Sequence, residues 1–239
     1  MKREINWRPI DVLFALGAIV FLSALALRAA SRSIENQRSR ECEINLKGIG
    51  LAMVNYEASW DSLPPASSRD SLGRSLLSWR VPIIPYLDCN DLYVKFHDDE
   101  AWNGAHNAKV IRLTHPDYLC PRDASLTRSR GMTKYRVFTG EGTALEEQRS
   151  WKSDKTPDGA HNTILVVESR FETIWTKPGE LVFDPSVSSR SLVKSVGSKH
   201  PGGFWVLFLD YHTAFLRNEI DPVIFRALLT RAGGEPIDR

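Results

Sequence analysis

The chain has 239 residues, 42% hydrophobic and 25% charged, with a formal net charge of +2. That is the composition of a folded protein with one sizeable core, and the absence of long basic tracts removes the electrostatic argument for nucleic-acid binding. Three cysteines, Cys42, Cys89 and Cys120, show no close Cys-x-x-Cys spacing, which argues against a zinc cluster or a dithiol redox motif.

The first predicted element is an apolar run from Val12 to Leu27, preceded by Lys2, Arg3 and Arg8. Counted from Ile10 it reaches the roughly 18 residues that a bilayer core requires. Its strong apolar side chains contribute roughly −0.3 to −0.6 kcal/mol each, which together outweigh the cost of about +3 kcal/mol that a single mid-membrane Asp11 would add. A cleaved secretory signal is the first competitor, but Leu27-Arg28-Ala29-Ala30-Ser31 fits its small-residue cleavage pattern poorly. Asp11 has two readings of equal weight: an intramembrane acid with a function, or a carboxylate lying at headgroup level. Arg28, Arg32, Arg38 and Arg40 follow the span as closely as Lys2, Arg3 and Arg8 precede it, so charge does not set its orientation.

Beyond the span, apolar residues recur at Cys42, Leu46, Ile49, Met53 and Tyr56 in alternating steps of four and three, a helix with one buried stripe. No proline intervenes before Pro64, so a single helix from Asp11 to Tyr56, about 70 Å long, is expected, ended by Leu63-Pro64-Pro65. Gly48 and Gly50 within it point to close packing against another element, or are tolerated weak points. Ala66 to Ser75 reads as an exposed loop, and Ser78 to Leu87 as a buried irregular segment in which Pro82 and Pro85 limit any helix to a turn. A short helix is expected within Ala105 to Leu113. Asn162 to Glu168 is a β-branched run expected as a strand buried on both faces. Phe204 to Leu209 and Thr213 to Leu216 predict a hairpin, and Asp221-Pro222 starts a helix to about Thr230. For an extracytoplasmic domain, Cys42 with Cys120 is the preferred disulfide, because Cys89 lies in the polar turn Asp88-Cys89-Asn90-Asp91; three free thiols is the alternative.

Several segments, in this order, resemble the bacterial pseudopilin-like proteins of domain-of-unknown-function family 1559: Cys42-Glu43-Ile44-Asn45-Leu46-Lys47-Gly48-Ile49-Gly50-Leu51-Ala52, Ser78-Trp79-Arg80-Val81, Pro85-Tyr86-Leu87, Tyr118-Leu119-Cys120-Pro121, the run from Asn162 to Glu168, His200-Pro201-Gly202-Gly203, and Leu228 to Glu235. The resemblance implies an α+β, pilin-like fold: a long N-terminal helix, membrane-spanning in its first half, packed on an antiparallel sheet. It divides the chain into a leader and transmembrane segment, residues 1–30, and an extracytoplasmic domain, residues 31–239. It further implies a single-pass protein of the bacterial inner membrane with a structural or assembly role in the cell envelope or a type II secretion-like system. The implied partners are the membrane and other pseudopilin-like subunits, with no cofactor and no nucleic acid. Family members typically carry a glycine at the prepilin peptidase cleavage point, an aromatic residue after it and an acid at the fifth mature position; the match here runs through Asn6, Trp7 and Asp11. Asn6 stands where the glycine is expected, and Arg8-Pro9 replaces the usual Thr-Leu. An acid at Asp11 is useful in such a protein because it pairs with the freed N-terminus of a neighbouring subunit, removing two unpaired charges from hydrocarbon. Relatives also usually have Asp-Gly in the hairpin where this chain has Asp210-Tyr211; Tyr in a positive-φ turn is strained, and a longer loop through His212 would relieve it.

The six histidines are scattered, none paired at the i, i+4 spacing of a zinc protease, so no metal ligand set is expected. His97-Asp98-Asp99-Glu100 lacks the spaced ligands of a calcium loop and reads as a solvated loop before a Ca²⁺ site. Glu168 is expected to meet His200 or His161, as a structural ion pair first. Ser191, Ser195 and Ser198 precede His200 without a nucleophile-elbow pattern, so the chain is expected not to be an enzyme. The dispersed tryptophans are core or rim residues, or else line a glycan-binding face. The runner-up function is thus a membrane-tethered ligand- or glycan-binding domain.

Overall fold

The computed structural model describes residues 9–123, 125–127, 130–147 and 151–234, with Asp11 described through its backbone alone. The fold is α+β. A single helix, α1 (Pro9–Trp60), runs 52 residues without interruption, as the long proline-free stretch predicts. It ends where Asp61 turns into the left-handed region at φ 59, ahead of Pro64 and Pro65.

The two halves of α1 have opposite surroundings. From Ile10 to Leu27 every large apolar side chain is exposed, Phe14 by 73% and Leu27 by 70%. From Cys42 onward the stripe Cys42, Leu46, Ile49 and Met53, joined by Ala52, is fully buried. Each of the large side chains among these contributes about 2 kcal/mol by leaving water, so the second half is held by the core while the large apolar side chains of the first are exposed among the described residues. Among the described residues, α1 is the one helix long and apolar enough to cross a membrane.

The packed half lies on a four-stranded antiparallel sheet of order β3 (Met132–Arg136), β5 (Ile164–Ile174), β7 (Gly203–Phe208) and β8 (Thr213–Arg217). Alternation along β7 sends Trp205 and Leu207 toward α1, and Phe204, Val206 and Phe208 into a second core that contains Leu192 and Phe225. Those two residues come from α4 (Ser189–Ser195) and α5 (Pro222–Ala227), while the one-turn helices α2 (Asn90–Tyr93) and α3 (Asn107–Val110) and the parallel pair β4 (Phe138–Thr139) and β6 (Leu181–Val182) lie outside this sheet. An irregularity between Ile164 and Val166 places Leu165 and Val166 together in the α1 core, so β5 feeds both cores, as a nearly continuous apolar run should. α5 starts as expected: the Asp221 carboxylate accepts from the amides of Val223 and Ile224.

Gly50 sits where a Cβ would lie 3.1 Å from Leu207, and at Gly48 it would lie 2.5 Å from the Asp117 carboxylate. The absent side chains let the helix close onto β7 and the 3-10 turn Pro116–Tyr118. Other expectations need correction. The supposed exposed loop Ala66 to Ser75 carries β1 (Ser67–Arg69) and the start of β2 (Ser75–Ser78), which pair with each other, and Ala66 and Ser67 are buried. Asn162 belongs to a 3-10 turn, Ala160–Asn162, so β5 starts two residues later than expected and runs on to Ile174. The β7–β8 turn is not relieved through His212: Tyr211 stays at φ 67, its hydroxyl donating to Glu57 of α1 at 2.5 Å.

Candidate functional site

The stripe of α1 extends backward beyond its apolar part. Glu35 and Ser39 precede Cys42 by seven and three residues, on the same helix face, and they meet the loop before β7 and β7 itself. The Glu35 carboxylate contacts His200 Nδ1 at 3.1 Å and Arg122 at 2.7 Å, while Ser39 Oγ accepts from the Trp205 indole at 3.0 Å. Cys42 is joined to Cys120 by a disulfide with a Cα–Cα distance of 5.3 Å, and Cys89 is free. These contacts form a seam that fastens the helix to the sheet where it emerges from the apolar run. From Leu27 to Glu35 is about 12 Å along the helix axis.

Behind the seam lies a buried acid. Glu168 stands on β5 opposite Tyr135 of β3, and one carboxylate oxygen accepts from the Trp205 amide at 2.8 Å. Its other oxygen has no hydrogen-bond partner among the described residues and lies 3.8 Å from His200 Nε2. Burial pushes the Glu168 carboxyl up to about 7, partly offset by the Trp205 amide. Burial also pushes His200 down, against the contrary pull of Glu35. Both directions favour a neutral pair, with the His200 ring donating from Nδ1 to Glu35 and turning Nε2 toward a protonated Glu168. Of the two partners expected for Glu168, His200 is the one in contact; His161 lies at Asp210, at the far end of β7.

Cys42, Cys120, Glu168 and His200 bring donor atoms within 4.8 Å of one another. The sulfurs are bonded to each other, which leaves one imidazole and one carboxylate, too few to hold a metal ion. Of the serines near His200, Ser198 accepts from the His200 amide and donates to Gly203 O, a loop-shaping role. In the acidic run, Glu100 accepts from the amides of His106 and Asn107, and Asp98 accepts from Tyr93, so these carboxylates close the loop on itself.

A cleft of about 350 Å³ opens beside the seam, lined by Arg32, Glu35, Asn36, His200 and Phe215. A second, of similar size, lies at the other end of α1 between Tyr56, Trp60, Pro85, Tyr86 and Tyr93, with Asp98 at its edge. From Leu27 to Trp60 is about 50 Å along the axis.

Sequence reasoning did not anticipate Arg80 and Glu180. Their side chains are fully buried, paired at 2.7 and 3.1 Å, and the Arg80 guanidinium also donates to Tyr135 O and Ser78 Oγ. With the two 100 positions apart, no local pattern announces the pair. Glu35 and Ser39 did have a signal, the backward extension of the stripe, hidden because they are polar. Asn6 and Trp7 lie outside the described residues, and Asp11 falls in the first turn of α1.

A family model described as "Protein of unknown function (DUF1559)" matches residues 34–191, more than half of the chain. The chain belongs to the DUF1559 family. No curated protein and no solved structure matches it. The DUF1559 match opens one residue before Glu35 and takes in the disulfide, Arg80, Glu180 and Glu168, while the apolar half of α1 and His200 fall outside it. With its long apolar N-terminal helix, this DUF1559 protein fits a membrane-anchored or exported protein.

Proposed function

We propose that the protein is a single-pass, pseudopilin-like component of the bacterial cell envelope, anchored in the inner membrane with its folded part outside the cytoplasm, and that its anchor helix is the working element in assembly. The observation that carries this reading is the division of α1: one unbroken helix, apolar and unpacked in its first half, fixed to the sheet in its second by a buried stripe, a hydrogen-bonded seam and a disulfide. A disulfide supports the extracytoplasmic orientation, since such bonds persist in oxidising compartments. The reading is non-enzymatic. The burial of Glu168 and His200, with side chains 2% and 1% exposed, supports a helix-locking role for them.

The test is Asp11→Ala, with native extraction from membranes. Loss or change of the complexes, with an unchanged circular dichroism spectrum and melting temperature, is expected; unchanged complexes would overturn the reading. The mass and N-terminal sequence of the membrane-purified protein separate two forms of it. A start at Trp7 means pilin-type processing, and an intact N-terminus means a permanently anchored subunit.

A second reading, a tethered ligand- or glycan-binding domain, draws support from the aromatic cleft, whose Tyr56, Trp60, Tyr86 and Tyr93 offer flat apolar faces beside the Asp98 acceptor. It predicts that the detergent-solubilised chain binds an oligosaccharide and that Trp60→Ala abolishes this.

A further inference from the structure

At the far end of β7 from the seam, two segments distant in sequence meet. The 3-10 turn Ala160–Asn162 supplies His161, and the β7–β8 turn supplies Asp210 and His212. The Asp210 carboxylate lies between the two imidazoles: one oxygen is 2.8 Å from His161 Nδ1 and the other touches His212 Nδ1. We propose that these three residues form a binding site for one divalent transition-metal ion of the zinc class.

Four observations support it. First, the donors are in place. One atom from each of His161, Asp210 and His212 lies within 4.8 Å of the others, and a tetrahedral ion with bonds of about 2.0–2.2 Å needs its donors about 3.3–3.6 Å apart. An ion bound through Nδ1 of both rings would replace their present contacts with the two Asp210 oxygens, each ring then carrying its proton on Nε2.

Second, stacking on Phe208, at 4.3 Å and 7°, fixes the His212 ring, while the exposed His161 ring, now stacked on it at 4.3 Å and 24°, has the freedom to turn its in-plane lone pair toward the ion. Third, the backbone clamps the two segments together: the Leu209 amide donates to Thr163 O at 2.8 Å and the Asp210 amide to Ala160 O at 3.3 Å. Tyr211 holds the turn from the other side, at φ 67 with its hydroxyl on Glu57, so Asp210 and His212 flank a backbone position that a bulky residue adopts only under constraint. Fourth, the chemistry of the set is selective. Two imidazoles and one carboxylate suit Zn²⁺ and its neighbours in the transition series rather than Ca²⁺ or Mg²⁺, which prefer all-oxygen shells. His161 and His212 are 57% and 32% exposed at the side chain, so the ion enters directly from solvent and keeps water in its remaining positions.

The test uses the full chain in detergent, stripped of metal by a chelator that is then removed, and titrated with CoCl₂ and ZnCl₂. One equivalent of Co²⁺ should produce visible d–d absorption that Zn²⁺ displaces. His161→Ala and Asp210→Asn should each weaken binding by about tenfold or more. His161 has an exposed side chain, and a circular dichroism spectrum identical to the parent's checks that its removal leaves the fold intact. His97→Ala, in the separate stacked pair with His106 at 3.6 Å, should change nothing. No Co²⁺ absorption at about 100 µM metal, an affinity too weak to matter for a dedicated site, would overturn the proposal. Binding that survives His161→Ala and Asp210→Asn unchanged, or that is lost with His97→Ala, would do the same.

Discussion

Replacing Glu168 by Gln turns the buried acid into a direct measurement of what the seam costs when ionised. In the folded chain the carboxyl is pushed up to about 7 from an ordinary 4.5 by burial. Between these values the folded state holds a proton that the unfolded chain has already lost, so Glu168's contribution to stability is complete below 4.5 and falls as pH rises, levelling off above about 7. At about 1.4 kcal/mol per pH unit over that interval, the loss is about 3 kcal/mol. Gln keeps the shape, still accepts from the Trp205 amide and presents an NH₂ to His200 Nε2, but carries no charge. The expected result is a variant close to the parent at pH 4.5 and more stable by up to about 3 kcal/mol at pH 8. His200 contributes with the opposite sign, because its folded value is lowered: its term favours the folded state above the ordinary 6.5 and is lost as pH falls. Since His200 is present in both proteins, the difference between the two profiles isolates Glu168 except where the two groups titrate together. The assay is urea denaturation of the full chain in detergent at half-unit pH steps, with the disulfide intact. A flat difference between pH 4.5 and 8 would show that Glu168 ionises freely in the folded state, and the account of the seam as a neutral buried pair would fail.

Opening the Cys42–Cys120 bond, by Cys→Ser at both positions, removes a cross-link spanning 78 residues; loop-closure entropy puts the loss at about 4 kcal/mol, read as a lower denaturation midpoint. Mass spectrometry of the alkylated, unreduced parent should find one modified thiol, at Cys89. Arg80→Met leaves the buried Glu180 with the longer contact to Arg136 at 3.6 Å and should cost about 3 kcal/mol, whereas Arg80→Met with Glu180→Leu should recover part of that, because the second change removes the buried carboxylate but takes from Arg136 its partner. Equal damage in the single and double variants would show that the hydrogen bonds from Arg80 to Tyr135 O and Ser78, rather than the ion pair, hold that region.

The helix stripe was legible because Cys42, Leu46, Ile49 and Met53 combine apolar chemistry with helical spacing, and the start of β5 because Ile164 to Val167 is apolar and largely β-branched. The rest of β5 was not legible: Ser169, Arg170 and Glu172 carry no apolar alternation, and the strand runs on past them because Thr173 and Ile174 pair with Thr133 and Met132 of β3. β1, with the sequence Ser-Ser-Arg, is too short and polar to signal itself, and its burial comes from its surroundings. The expectation at Tyr211 failed for a tertiary reason. The loop does run through His212, but Glu57 and the close approach at Gly50 hold Tyr211 at positive φ where local energetics alone would not. The contacts of Glu35 with His200 and of Asp210 with His161 join residues 165 and 49 positions apart, and single-chain periodicity carries no information about such meetings.

Between Gly17 and Gly48 the helix contains neither glycine nor proline, so the stretch joining the apolar half to the folded part has no hinge residue, whatever surrounds that half. It behaves as a lever. With the seam gripping the helix about 12 Å past the apolar run and the aromatic cleft about 50 Å past it, tilting the span by about 10° would sweep the cleft sideways by about 9 Å. Changes in bilayer thickness, or in the crowding of neighbouring spans, would therefore be converted into motion at the end of the molecule farthest from the membrane.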